Sequence, residues 1–116
     1  MVKPGGKHLI VDYWGVDSSR LTNTQDIESI LKQGAVDAGA TILGSNFHEF
    51  GEGCGITGVI VLSESHISIH TWPENNYAAI DIFMCGSCDP RVALKTLDTY
   101  FINDYSNIRL IKRGKS

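Results

Sequence analysis

The stretch that decides the fold is TGVIVLSESHISIHTWPENNYAAIDIFMCG, residues 57–86. Residues 58–63 are apolar and β-branched, and residues 65–70 alternate between polar and apolar, which is typical of a strand with one face against a core. After the break PENN at residues 73–76, a second alternating run covers residues 77–85. The two alternating runs predict an antiparallel hairpin across PENN, with both apolar faces turned to the same side.

The polar side of this hairpin carries the reactive side chains. His66, Ser68 and His70 lie on it in the first run, and Cys85 lies on it at the end of the second, so His70 and Cys85 could share a face. Ser65 precedes His70 by five residues, and in a straight strand two such residues point to opposite faces. We therefore expect either a bend at the polar SES junction or no direct cooperation between Ser65 and His70.

The flanking sequence predicts further strands at residues 7–14, 41–48 and 108–113 and two amphipathic helices. The first helix begins at Asn23 or Thr24, either of which can cap it, and Gly39 stops it. Asp89 caps the second helix, with Pro90 at its first position. The apolar sides of the two helices comprise Ile27, Ile30, Leu31, Ala35 and Val36, and then Val92, Leu94, Leu97, Tyr100 and Phe101.

This order, β-α-β-β-β-α-β, predicts a two-layer α+β sandwich with two helices on one face of a mainly antiparallel sheet. The other face is left partly uncovered, and it bears His66, His70, Tyr77 and Cys85. We expect a second copy of the chain to cover it.

Length and composition predict one domain, residues 1–116, of a soluble globular protein, because the chain is 42% hydrophobic and 20% charged. A net charge of −3 gives no basic footprint for nucleic acid. No apolar run is long enough for a membrane span, and the first residues lack a signal peptide, so a cytoplasmic location is expected. Three cysteines, an odd number, favour reduced thiols over disulfides.

Three other chemistries are less consistent with the pattern. CGSC at residues 85–88 lies between a strand and a helix, as a redox pair would, but the flanking elements are antiparallel and no aromatic adjoins it. Cys54, Cys85 and Cys88 lack the second close ligand pair of a zinc site, so no metal is expected. No G-x-S-x-G elbow surrounds Ser65, which disfavours a hydrolase triad.

Two motifs carry a family resemblance. LSESHISIHTWPE, residues 62–74, and IDIFMCG, residues 80–86, closely resemble the prokaryotic pyruvoyl-dependent S-adenosylmethionine decarboxylases. The resemblance extends from GKHLIVDYWG near the start, through GATIL and FHEF, to the second helix, so it spans nearly the whole chain. The family's fold is also a two-layer α+β domain that dimerises.

The resemblance implies a proenzyme that cuts itself between Glu64 and Ser65 into a β chain, residues 1–64, and an α chain, residues 65–116. The Ser65 hydroxyl would attack the preceding carbonyl to form an ester, and β-elimination and hydrolysis would leave a pyruvoyl group in place of Ser65. By the same resemblance, His70 assists processing as an acid/base and Thr57 supports it. A strained turn at the cut would also explain how Ser65 and His70 could cooperate although they are five residues apart, because Ser65 would not follow the alternation of the strand.

The resemblance further implies that the pyruvoyl carbonyl forms a Schiff base with the substrate amine and acts as the electron sink, without pyridoxal phosphate. Cys85 matches the family's proton donor. Phe50 and Trp72 match aromatics near the nucleoside, and Glu74 matches a carboxylate suited to the ribose hydroxyls. The expected activity is decarboxylation of S-adenosylmethionine for spermidine synthesis, in a homodimer of processed αβ protomers.

The loop FGEGCGI, residues 50–56, departs from the family pattern. The family usually carries a basic residue at the position of Glu49 and a proline before the glycine. Acidic Glu49 and Glu52 could instead recognise a distal ammonium or guanidinium group. An alternative hypothesis is therefore a pyruvoyl-dependent ornithine or arginine decarboxylase on the same scaffold. A third is a homologue that processes poorly and acts by binding an active partner.

Overall fold

The computed structural model describes residues 4–115, so residues 1–3 and 116 of the predicted domain lie outside the described residues. Within this range the chain forms two α-helices and one six-stranded sheet. In chain order the elements are β1 (Gly5–Trp14), α1 (Thr24–Asp37), β2 (Ile42–Glu49), β3 (Ile56–Leu62), β4 (Ser65–Trp72), β5 (Tyr77–Met84), α2 (Pro90–Asp98) and β6 (Tyr105–Gly114).

The sheet is antiparallel throughout, with the strand order β2-β3-β4-β5-β1-β6. The predicted hairpin across PENN is the β4–β5 pair, in which Ile69 lies opposite Ile80 and His70 opposite Ala79. The apolar members of both strands are buried, as the alternation indicated. The predicted two-layer α+β class is confirmed.

The sheet has one strand more than the predicted order. Residues 58–70, taken as one strand with a bend, are two strands that reverse direction at Ser63 and Glu64 and then pair, with Leu62 opposite Ser65. Two-residue hairpin loops usually contain Asn-Gly or another Gly-rich sequence, which makes them recognisable. Ser-Glu lacks that signal, so the sequence indicated a bend where the chain makes a complete turn.

Both helices begin where the sequence predicted. The Asn23 side chain accepts a hydrogen bond from the Asp26 N–H at 3.0 Å, and the Asp89 side chain accepts one from the Arg91 N–H at 3.0 Å. Gly39, with φ of 86°, follows the end of α1.

The core lies between the helices and one face of the sheet. Two predicted apolar positions are wrong: Val36 is 57% exposed and Val92 is 39% exposed. Ala35, which was also predicted to be on the apolar side, is buried, and Ala93 is buried in place of its neighbour Val92, because successive helical residues point about 100° apart.

Thr71 is a buried polar residue that joins β4 to β3 and to the segment before α1. Its hydroxyl donates to the Leu21 carbonyl and accepts from the Ile56 N–H, both at 2.9 Å. One hydroxyl thus satisfies two backbone groups that would otherwise be buried without partners.

The sheet face opposite the helices is called the open face here. It carries His8, Asp12, Thr57, His66, Ser68, His70, Trp72, Tyr77 and Phe83, none of them fully buried. Among residues 4–115, neither helix has the length and apolar character needed to cross a bilayer.

Candidate active site

The Ser63–Glu64 turn is fastened to the start of β2. The Glu64 carboxylate accepts a hydrogen bond from the Thr41 N–H at 2.8 Å, and the Ser63 N–H donates to the Thr41 carbonyl at 3.0 Å. The Thr41 N–H is the main reason that the pKa of Glu64 is below its usual range. The turn therefore carries an anchored, ionised carboxylate at neutral pH.

Ser65 has a strained backbone directly after this turn. Its φ is 151°, and within residues 4–115 Asn76 is the other non-glycine residue with a positive φ. Backbone of this kind costs a residue with a side chain about 1–3 kcal/mol and tends to occur at functional sites. The Ser65 hydroxyl lies 3.4 Å from Nδ1 of His66. The expected strain at the Glu64–Ser65 junction is thus present in the fold.

The carbonyl group of Glu64, which belongs to the Glu64–Ser65 peptide bond, accepts two hydrogen bonds from Cys85. The Cys85 N–H donates at 3.1 Å and the Cys85 thiol at 2.9 Å. Two donors on one carbonyl oxygen form the arrangement that stabilises an oxyanion when a nucleophile attacks the carbonyl carbon. Glu64, Ser65, His66 and Cys85 together are called the turn cluster.

A second group of side chains lies at the far end of β4. The imidazole of His70 packs between Trp72, with ring centroids 4.2 Å apart, and Phe50, at 5.8 Å. Tyr77 stacks on Trp72 at 4.9 Å and on Trp14 at 4.1 Å. This group is called the aromatic cluster.

Two further predicted residues lie near the aromatic cluster. Thr57 is directly opposite His70 in the β3–β4 register, which places their side chains on the same face. Glu74 is exposed in a short 3₁₀ helix, Pro73–Asn75, that follows Trp72. The aromatic rings offer an apolar surface, and Glu74 offers an exposed carboxylate two residues after Trp72.

The two clusters lie at opposite ends of β4. His70 follows Ser65 by five residues on the same strand, a separation of roughly 17 Å at the usual rise of a strand. Ser65 and His70 of one chain therefore have no contact. The structure brings Ser65 together with Cys85 through the Glu64 carbonyl, and His70 together with Phe50, Thr57 and Trp72.

Sequence reasoning missed the role of His66 in the turn cluster and the anchor of the turn at Thr41. His66 was assigned only to the polar face, although it adjoins Ser65 in the sequence, because alternation places neighbours on opposite faces. The positive φ of Ser65 removes that expectation. The anchor at Thr41 had no sequence signal, since it joins residues that are 23 positions apart.

The three cysteines differ in burial and in chemical environment. All three are free: Cys54 is exposed, Cys85 partly buried and Cys88 buried. Burial, followed by the negative charge of Glu64, raises the pKa of Cys88, which is the opposite of an activated redox thiol. Within residues 4–115 no group of three or more potential ligands has the geometry to hold a metal.

Comparison with known proteins gives the family. The sequence model described as S-adenosylmethionine decarboxylase matches residues 7–114. This chain belongs to that family. A structural relative, the adenosylmethionine decarboxylase from Aquifex aeolicus, superposes with a TM-score of 0.88 at 32% identity, over 98% of this chain and 94% of that one.

Curated relatives match this chain over most of their own lengths. The S-adenosylmethionine decarboxylase proenzyme of Fervidobacterium nodosum is 43% identical over 98% of this chain and 83% of its own length. The proenzyme of Methanococcus maripaludis is 41% identical over 97% and 93%, respectively. That of Thermotoga maritima is 48% identical over 83% and 74%. The predicted family is confirmed.

Proposed function

We propose that this protein is a proenzyme that cuts itself between Glu64 and Ser65 and then decarboxylates S-adenosylmethionine, supplying aminopropyl groups for spermidine synthesis. The products of the cut are a β chain, residues 1–64, and an α chain, residues 65–116. The observation that carries this proposal is the turn cluster: a strained serine follows a carbonyl that two donors polarise. The proenzyme names of the relatives support it.

The cut begins when the Ser65 hydroxyl attacks the Glu64 carbonyl carbon. The N–H and thiol of Cys85 already hold the oxygen on which negative charge develops, so little rearrangement is required. Breaking the peptide bond gives an ester and frees the Ser65 backbone from its strained φ. Loss of the Ser65 α-proton then expels the Glu64 carboxylate, and hydrolysis with release of ammonia leaves a pyruvoyl group.

The residues around position 65 fit such a group. A pyruvoyl group supplies a carbonyl that withdraws electrons from the substrate as carbon dioxide leaves. Cys85 has two successive tasks in this scheme. Before the cut its thiol holds the Glu64 carbonyl, and after the cut the same thiol is free to return a proton to the substrate's α-carbon.

We infer that a second copy of the chain completes the site. His70, the processing acid/base, is roughly 17 Å along the strand from Ser65 of its own chain, whereas proton transfer requires about 3 Å. If two open faces stack with their strands antiparallel, the aromatic cluster of each chain lies over the turn cluster of the other. The homodimer would then contain two equal composite sites, each with Ser65 and Cys85 from one chain and Thr57 and His70 from the other.

The aromatic cluster suits a nucleoside sulfonium substrate. Phe50, which is 54% exposed, and Trp72 offer ring faces for the adenine and the positive sulfur, and Glu74 offers a carboxylate for the ribose hydroxyls.

The ornithine or arginine alternative has weaker support. Glu49 lies opposite buried Ile56 and thus on the helix side of the sheet, away from His70. The curated relatives named above are S-adenosylmethionine decarboxylase proenzymes, and none of these names favours a basic amino acid.

Intact mass measurement under denaturing, reducing conditions tests the proposal. We expect two fragments divided between residues 64 and 65, the second beginning with a carbonyl that a hydride reductant traps as an adduct with S-adenosylmethionine. Ser65→Ala should give one uncut, inactive chain. An uncut wild-type chain, or an adduct with ornithine or arginine in preference to S-adenosylmethionine, would refute the proposed function.

A further inference from the structure

His66 has a contact that no role assigned so far explains. Its Nδ1 atom lies 3.4 Å from the Ser65 hydroxyl, and its ring packs edge-on against Phe83 with centroids 5.9 Å apart. The residue is partly buried on the open face, opposite Val61 in the register with β3. Phe83 and the strand pairing therefore hold the imidazole beside the nucleophile.

We propose that His66 is the general base that activates the Ser65 hydroxyl in the first step of self-cleavage. This inference rests on the proposed self-cleavage at Glu64–Ser65. His66 is the imidazole in contact with this hydroxyl, whereas His70 of the same chain packs among aromatic rings at the other end of the strand. Catalytic hydrogen bonds are commonly long in resting structures and shorten along the reaction, so 3.4 Å is within reach.

The proton transfers of ester formation need no residue from a second chain. Nδ1 of His66 takes the proton of the Ser65 hydroxyl as the oxygen bonds to the Glu64 carbonyl carbon. The carbonyl oxygen becomes negative and is held by the Cys85 N–H and thiol. As the carbon–nitrogen bond breaks, the imidazolium of His66 returns the proton to the Ser65 nitrogen. An ester and a free amino group result, and His66 is again neutral.

This assignment divides processing between two histidines. Ester formation needs the turn cluster alone and can proceed in a single chain. The later loss of the Ser65 α-proton is the step that falls to His70 of a second copy. Removing His66 should therefore prevent the ester from forming, while removing His70 should let the ester accumulate.

Hydroxylamine, which cleaves esters and leaves ordinary amides intact, separates the two steps. In a His70→Ala background we expect hydroxylamine to cut the chain between residues 64 and 65. Adding His66→Ala or His66→Asn should slow ester formation by roughly 10²-fold or more, the usual contribution of a general base. The asparagine variant keeps a polar acceptor near the position of Nδ1 but cannot carry the proton. Added imidazole should partly restore ester formation in the alanine variant.

His8→Ala is the matched control. His8 also packs on Phe83 from the open face, with centroids 5.7 Å apart, but its Nε2 atom contacts Asp81 at 3.0 Å and not Ser65. We expect its ester formation to stay within about twofold of the parent, because no proton transfer is lost.

Two results would overturn the role of His66. One is ester formation at the parent rate in the asparagine variant. The other is equal slowing in the His8 control and the His66 variants, without rescue by imidazole, which would indicate a packing effect on Phe83. Failure of the proposed function has a different signature, since the wild-type chain itself would then remain uncut and form no ester.

Discussion

Co-expression of two defective variants, Ser65→Ala and His70→Ala, tests whether each site is shared between two chains. The Ser65→Ala chain retains His70, and the His70→Ala chain retains Ser65. A separation of roughly 17 Å within one chain is nearly six times the distance of about 3 Å over which a side chain can transfer a proton. Each variant alone should therefore remain uncut: Ser65→Ala lacks the serine at the cut, and His70→Ala lacks the histidine.

The expected yield follows from the symmetry of a dimer. Equal amounts of the two variants that pair at random place about half of the His70→Ala chains in mixed dimers. Each mixed dimer has one site with both Ser65 and His70, so about half of the Ser65-bearing chains should be cut. Intact mass analysis of differently tagged chains measures this fraction directly.

The control replaces the Ser65→Ala partner with a chain that lacks both Ser65 and His70. No mixed dimer then contains a functional histidine at position 70, and the cut fraction should fall to that of His70→Ala alone. If the original pair yields no cut chain although mixed dimers are isolated, the two residues do not combine across the interface, and the reasoning from the strand geometry is refuted.

Three further predictions concern the precursor, with Ser65→Ala used to keep it uncut. Thr71→Val should lower the free energy of unfolding by about 2–4 kcal/mol in urea denaturation, since two buried backbone groups lose their partner; a change below about 0.5 kcal/mol would contradict this. The Thr41 amide proton resonance should follow the titration of Glu64 with a midpoint below the usual carboxyl range. The hydrogen bond from the Thr41 N–H to the Glu64 carboxylate is present while the carboxylate is ionised and is lost as the pH falls through the lowered pKa. A midpoint at or above the ordinary carboxyl value would contradict this hydrogen bond. So would the same titration of the Thr41 resonance in Glu64→Gln. Iodoacetamide should label exposed Cys54 first and Cys88 last, because Cys88 is buried and its pKa is raised. Mass spectrometry that shows the reverse order of labelling, or a Cys85–Cys88 disulfide, would refute the description of Cys88 as a buried, unreactive thiol.

Local pattern was sufficient for much of the architecture. The alternation in residues 65–70 and 77–85 gave the β4–β5 hairpin and the side of the sheet that faces the helices. The caps at Asn23 and Asp89 gave the helix starts. Strand alternation and helix caps depend on interactions between residues that are close in the sequence, so the sequence pattern is sufficient to predict them.

The parts that pattern missed depend on backbone geometry and on contacts between distant residues. The reversal at Ser63 and Glu64 has no turn-forming residue to announce it. The positive φ of Ser65 has no sequence signal, and the Ser65 hydroxyl lies 3.4 Å from Nδ1 of His66, a neighbour that alternation would place on the opposite face. Ser65 and His70, both predicted to be catalytic, lie toward opposite ends of β4, which a list of motif residues does not reveal.

The stacked column of Trp14, Tyr77 and Trp72 gives the protein a built-in optical probe. Both tryptophans of the chain belong to it, and Trp72 also touches His70. Intrinsic fluorescence of this protein therefore originates almost entirely at one end of the open face. A spectral shift on adding a ligand, or on dilution, would indicate events at that end without any introduced label.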